Sequence, residues 1–316
     1  MDRRVKLYYN PSSSASQKVL VALQEKEVKF EGVIIDIQKK VQQLEAWYMR
    51  INPAGAVPVL QDGEKIIRES EDIVDYIDRE FPGESKLVPD MSTEMGKEVS
   101  RWRKVLNEEV QVFAITYGTM CFPELSASGL KLAKSVYRSK DDIIANMQIR
   151  AKRCEQLADE HPDLREAYTA KMSAVQKNVS TIADKDNVVK ALDALESTLD
   201  KVQEKLKKVD ADPSKELWFC GQQFTAADIT LCILLGRLDL LGLGERYHSN
   251  EKRPKLHAYW QQAKKRPSIH RVSINVLREI MKMKLREGAK TVLPVLGGLV
   301  TVGLAAGLAF LFASKR

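Results

Sequence analysis

The residues best suited to chemistry lie where one structural element hands over to the next. Ala56-Val57-Pro58-Val59-Leu60 reads as a strand with a proline near its start. Proline cannot donate to a sheet ladder and belongs at a strand's first residue or edge. A Val57–Pro58 bond in that place is a candidate for the cis isomer, which would leave the N–H and C=O of Val57 facing a cleft, ready to pair with an extended peptide. The alternative is an ordinary trans proline at an edge. Ser12, Ser13, Ser14 and Ser16 lead into a helical stretch, and Glu69-Ser70 leads into another; hydroxyls in such places are at least capping material. Four cysteines without a CxxC pair argue against a disulfide framework or a zinc ribbon. They fit a reducing compartment, and four widely spaced histidines argue against a histidine-built metal site.

The elements around these positions follow from periodicity. Strands are expected over 6–9, 33–37, 56–60 and 65–67, the last two joined by an Asp62-Gly63 turn. Helices are expected over 16–25, about 39–49 and 70–80, with Val19, Leu20 and Leu23, then Ile73, Val74 and Ile77, on their apolar faces. The order is βαβαββα. From residue 92 the pattern is helical throughout. A single helix over about 92–117 would bury Trp102, Val105, Leu106, Val110 and Phe113. Leu164, Tyr168, Met172, Val175, Val179 and Ile182 trace an amphipathic helix. Val188, Leu192, Leu195, Leu199, Val202, Leu206 and Val209 alternate steps of four and three, as in a short heptad seam. That seam suits either a helix packed on its own domain, the preferred reading, or a projecting hairpin that meets a partner. Thr225 and Asp228 form a capping box, with Phe224 and Ile229 as its hydrophobic staple. Cys121, beside Phe122-Pro123, is expected in an exposed loop as the most redox-competent thiol.

Charge separates the body from the tail. Residues 264–290 carry nine Lys or Arg against Glu279 and Glu287, and Lys315 and Arg316 follow, so residues 1–263 hold net −2 of the chain's +7. The basic pI is therefore no sign of a nucleic-acid-binding body. Val272, Val276, Ile280 and Met283 share one face of the basic stretch, which suits anionic headgroups. Residues 291–313 contain no charge. As a helix they would reach about 35 Å, enough for a hydrocarbon core of about 30 Å. With only Ser314, Lys315 and Arg316 beyond them, this is the layout of a tail anchor, and its flanking basic residues lean towards the mitochondrial outer membrane. Gly303 and Gly307 form one GxxxG, suited to pairing two spans.

The order βαβαββα, with LYYN-PSSSASQKVLVAL at 7–23, INPAGAVPVL at 51–60, ESEDIVDYI at 69–77 and WFCGQQFTAADITL at 218–231, resembles the cytosolic glutathione transferases. SQKVLVA at 16–22, CFPELSA at 121–127, LADEHPDLREAYTAK at 157–171, KRPKLHAYW at 252–260 and the C-terminal span narrow the resemblance to the ganglioside-induced differentiation-associated protein 1 family. That resemblance implies an α+β/α fold. It comprises a thioredoxin-like domain over 1–83, an all-α domain over 92–270 with a long insertion at about 120–185, a basic stalk over 271–290 and a transmembrane anchor over 291–313. It further implies a protein of the mitochondrial outer membrane, its bulk facing the cytosol, acting in mitochondrial fission and network dynamics with weak or vestigial glutathione binding. The alternative is an active transferase that conjugates glutathione to electrophiles. The peroxisomal membrane is a second candidate location. A homodimer and a protein partner at the insertion are candidate associations, with no nucleic acid.

The resemblance also implies site roles. Ser13 would sit beside the glutathione thiol, Val57 and Pro58 along the tripeptide, and Glu69 and Ser70 at its γ-glutamyl end, with no metal and no cofactor beyond glutathione as substrate or ligand. Lowering a thiol pKa by two units takes about 2.7 kcal/mol; a hydroxyl and a helix N-terminus supply part of it. Where transferases often place His, Lys or Gln for the glycine end, Ala54, Gly55 and Ala56 offer nothing. Ser13 is not a cysteine, which disfavours thiol-exchange chemistry. The membrane reading has a direct test. A chain ending at Lys290 should be soluble, whereas the full chain should resist carbonate extraction from mitochondria and leave its N-terminal domain open to added protease. Protection of that domain in intact organelles would refute the topology.

Overall fold

The computed structural model describes residues 4–83, 86–126, 139–209 and 216–276; the basic stretch beyond 276 and the 291–313 span lie outside the described residues. Strand β1 (Val5–Tyr9) is the inner strand from which the sheet grows. It pairs in parallel with β2 (Glu31–Ile34) and antiparallel with β3 (Val59–Asp62), which pairs with β4 (Lys65–Ile67), giving the order β2-β1-β3-β4. Leu7 lies opposite both Gly32 and Leu60, and it is fully buried. Gly63 takes a φ of +61° in the β3–β4 turn, where a side chain would be strained. Helices α1 (Ser14–Glu25) and α3 (Ser70–Glu80) pack Val19, Leu23, Ile73 and Ile77 into the core. The Val57–Pro58 peptide is cis.

The helix expected over 39–49 is instead a 3₁₀ turn (Gln42–Leu44) followed by α2 (Ala46–Ile51). Asp36 explains the difference: its Oδ1 accepts the N–H groups of Gln38 (2.9 Å) and Lys39 (2.8 Å), a side-chain turn that competes with helix. Val41 then takes a left-handed φ of 54°. The strand expected over 33–37 ends earlier because Asn10 caps it, its Nδ2 donating to the carbonyl of Ile35 at 2.8 Å.

The all-α part contains α4 (Glu94–Glu108), α5 (Val112–Cys121), α6 (Lys140–Glu160), α7 (Arg165–Ala183), α8 (Lys185–Lys208), α9 (Ala226–Leu240), α10 (Gly244–His248) and α11 (Pro254–Ala263). The single helix expected over 92–117 is broken at 109–111. There the Glu109 carboxylate is held by Lys201 (2.8 Å) and Thr198 (3.2 Å) of α8, and buried Val110 turns inward. Helix α9 is buried along nearly its whole length, including Asp228 at its start and Arg237 in its last turn, whose polar groups must therefore find partners inside the protein. Asp228 accepts the Thr225 N–H (2.9 Å) at its start, the Phe219 N–H (2.7 Å) and the Tyr259 hydroxyl (2.8 Å). His270–Ile274 continues the packing against α9, where Ser273 lies so close to Gly236 that a Cβ there would meet its Oγ at 1.8 Å.

The heptad positions Val188, Leu192, Leu195, Leu199, Val202 and Leu206 are all buried in the main core. Leu195→Asp should therefore cost about 3–4 kcal/mol and lower the melting temperature by about 6–12 °C. A fall below about 2 °C would mean that this face serves a partner and not its own domain.

Candidate functional site

A cavity of about 540 Å³ opens at the start of α1. Its walls come from the serine run at 12–14, the loops around Gln38 and Val57, the α4–α5 break, the insertion helices α6 and α7, and the last turn of α9. Val110, Val112, Phe113, Tyr117 and Met120 form an apolar side. The polar side is one-signed. Lys18, Arg150, Lys171 and Arg237 line the cavity, and among the described residues no Asp or Glu does.

Ser13 is the N-cap of α1, and its Oγ accepts the Ser16 N–H at 3.3 Å. The loop before it is fixed by Asn10, whose Oδ1 accepts the Ser12 N–H (2.9 Å) and hydroxyl (2.6 Å). Arg237 of α9 completes the arrangement. Nη2 donates to the Ser12 carbonyl (2.6 Å) and the Ser14 hydroxyl (2.9 Å), and Nε to the same hydroxyl (3.2 Å). Among the described residues no carboxylate pairs with this guanidinium. Burial pushes its pKa down to about 10, so it stays charged at neutral pH with its field unopposed in the cavity wall.

Val57 lines the cavity, and among the described residues nothing pairs with its backbone N–H or C=O. Pro58 is buried behind it. The neighbouring Ala56 carbonyl is already taken by the Tyr48 hydroxyl (2.7 Å) and Asn52 Nδ2 (2.8 Å). Glu69 and Ser70 stand apart from the cavity lining, at the start of α3. Glu69 is exposed in a left-handed conformation with φ 47°, a strained state for a residue with a side chain, and Ser70 is half-buried. The link between the two places is Lys18, which lines the cavity and holds Glu71 of α3 at 2.7 Å. Arg103 of α4 binds the other oxygen of Glu71 at 2.7 Å.

The structure thus brings Ser13 and Val57 to one cavity and leaves Glu69 and Ser70 on a neighbouring helix start. Arg237, Lys18, Arg150 and Lys171 did not emerge from the sequence. A lone arginine inside ITLCILLGRLDLL was the available signal for Arg237. Cys121, expected in an exposed loop, is buried at the end of α5, and burial pushes its thiol pKa up to about 11. All four cysteines are buried, which leaves them poor nucleophiles.

The family model "Glutathione S-transferase, N-terminal domain" matches residues 7–85, and "Glutathione S-transferase, C-terminal domain" matches 155–261. Ganglioside-induced differentiation-associated protein 1-like 1 of Homo sapiens is 29% identical over 273 residues, covering 84% of this chain and 72% of that protein. Glutathione S-transferase TCHQD of Arabidopsis thaliana is 28% identical over 270 residues, covering 85% of this chain and 89% of that one. Among solved structures, glutathione transferase F7 from Populus trichocarpa superposes with a TM-score of 0.59 at 18% identity, over 86% of this chain and 99% of that one.

The Lys18–Glu71–Arg103 cluster has a pH signature. Burial by itself would raise the Glu71 pKa, but the charges and hydrogen bonds of Lys18 and Arg103 outweigh it and hold the carboxyl below its ordinary value. Such a group contributes stability above its unfolded pKa and loses it as pH falls through the folded one. Glu71→Gln should therefore melt below the parent at pH 7, with the gap closing as pH falls from about 5 to 3. A pH-independent gap in melts across that range would refute the charge-based account.

Proposed function

Because the chain belongs to the glutathione S-transferase family, with both of the family's domains in order, we propose that its cavity binds glutathione and stabilises the thiolate for attack on an apolar electrophile. The observation that carries this reading is the joining, in one cavity, of a helix-capping serine, an unpaired backbone amide at Val57 and the unopposed charge of Arg237. In this reading the cysteinyl backbone of the tripeptide pairs with Val57. Ser70 and the α3 N-terminus take the γ-glutamyl carboxylate, and Glu69 takes the amino group. The thiol proton leaves to solvent. Ser13 donates to the sulfur, and Arg237 and the α1 N-terminus add their positive field. The thiolate then forms a carbon–sulfur bond with an acceptor seated against Phe113, Tyr117 and Met120, whose leaving group departs with the bonding pair.

The proposal extends to place. The uncharged 291–313 stretch and the resemblance to the ganglioside-induced differentiation-associated protein 1 family support a homodimer on the mitochondrial outer membrane, in the service of mitochondrial fission. The exposed side of the insertion, where Ile149 is 67% exposed, is the surface offered to a protein partner. A non-catalytic platform is the second reading; the side-chain-poor run Ala54-Gly55-Ala56 favours it, because it lacks the usual polar group for the glycine end.

Two substitutions separate binding from chemistry. Ser70→Ala should weaken glutathione binding by about 1–3 kcal/mol in calorimetry, the worth of a charge-assisted hydrogen bond. Ser13→Ala should leave binding nearly unchanged and lower conjugation to an activated aryl chloride by about ten- to a thousandfold. Binding without conjugation in the parent would leave a ligand-sensing module. No binding at millimolar glutathione would leave the platform reading alone.

A further inference from the structure

The insertion helices form a wall of the cavity. Helix α7 is docked on the thioredoxin-like part by Tyr168, fully buried, whose hydroxyl donates to the Leu44 carbonyl at 2.8 Å. Around that bond Leu44 and Met49 pack with Cys154, Leu157 and Leu164 of the insertion. Helix α6 is pinned alongside by Arg150, whose Nη2 donates to the Gln38 carbonyl at 3.1 Å. The consequence is that Arg150 and Lys171 line the same cavity as Gly55, Ala56 and Val57.

Lys171 is the informative member. It is half-buried, lines the cavity, and makes no hydrogen bond or ion pair among the described residues. Burial first, and then the like charge of Arg150, pull its pKa below the ordinary lysine value. A lysine kept partly out of water without a counter-charge is costly to the protein alone; an anion would offset that cost. The loop at Ala54-Gly55-Ala56 carries no cationic side chain of its own. Gly55 sits at φ +53°, and a Cβ there would meet Met49 Sδ at 3.0 Å and the Gln43 carbonyl at 3.3 Å.

We propose that Lys171 and Arg150 form a carboxylate-binding subsite, built from the insertion, that holds the glycine-end carboxylate of glutathione. This rests on the glutathione reading above and supplies what Ala54, Gly55 and Ala56 lack. The tripeptide carries two carboxylates and one ammonium. The α3 start matches one carboxylate and the ammonium, and the remaining negative charge lies at the far end of an extended peptide, past Val57, where the insertion presents its two cations. The insertion's presence and the missing loop side chain are then one change: the cation has moved from the thioredoxin-like part to the helical part.

The test compares glutathione with its glycyl monoethyl ester, in which a neutral ethyl ester replaces the glycine-end carboxylate, by calorimetry on the full chain in detergent micelles. The parent should bind the ester about ten- to a hundredfold more weakly than glutathione, as expected for loss of a charge-assisted contact. Lys171→Met should bind glutathione about tenfold more weakly and the ester as the parent does, so that the preference shrinks. Lys171→Arg should retain the preference. Equal affinity of the parent for both ligands would overturn this subsite while leaving the glutathione reading intact, and so would a Lys171→Met loss that is the same for both. Failure of the parent to bind either ligand would overturn both. The parent comparison needs no variant, so misfolding of Lys171→Met would not protect the proposal.

Discussion

A guanidinium on a buried helix must be satisfied, and among the described residues Arg237 finds its partners across a domain boundary. Helix α9 is surrounded by protein on every side, and Arg237 projects from it with no carboxylate partner among the described residues. Leaving that group without hydrogen bonds would cost several kcal/mol. The Ser12 carbonyl and the Ser14 hydroxyl meet it, so the first turn of α1 is held against the centre of the helical domain. Two effects follow from one contact. The serine loop has a fixed place, and the cavity beside it acquires a positive charge that nothing neutralises.

Other polar contacts reinforce the same seam from outside. Glu25, near the end of α1, accepts both Nε (2.8 Å) and Nη2 (2.6 Å) of Arg266 in a bidentate pair, and Ser268 donates to it as well. At the far end of the thioredoxin-like part, Asp78 is almost completely buried between Lys26 and Lys86 and accepts the N–H of Leu87 at 2.8 Å. Burial opposes its ionisation, and those donors outweigh burial, so its carboxyl pKa stays below the ordinary value. The passage from the first domain to the second is thus tied by charge at its start, and by the Ala226 N–H to Leu87 carbonyl bond (2.8 Å) immediately after. Such pairs add little net stability when compared with apolar substitutes. What they specify is orientation, which a cavity shared by two domains requires.

The sequence carried most of what depends on local pattern. The sheet order follows from strands that alternate or run β-branched, and the α9 capping box is visible in Thr225 and Asp228 alone. The misreadings arose where a side chain overrode a pattern. Asp36 captured two backbone N–H groups and unwound a predicted helix, and Glu109, drawn to Lys201, helped break another. Ser13 and Val57 were legible because each sits at an element boundary. Arg150 and Lys171 were not, because they are ordinary basic residues on amphipathic helices until the fold carries one of them to Gln38, 112 positions away in sequence.

The insertion is therefore the least local part of the site. It joins the thioredoxin-like part through Tyr168, Arg150, an exposed Arg50–Asp163 pair and a small apolar cluster, while Ile143, Met147 and Ile182 anchor it in the main core that α8 and α9 share. Exposed ion pairs contribute at most about 1 kcal/mol, so the apolar cluster and the buried Tyr168 bond set the strength of this seam. The cationic wall at the Gly55 side then closes only as well as α7 sits on Leu44, whereas the serine and arginine side is fixed by the core itself. The serine and arginine end of the cavity rests on the main core, and its far end is set by how the insertion docks on Leu44.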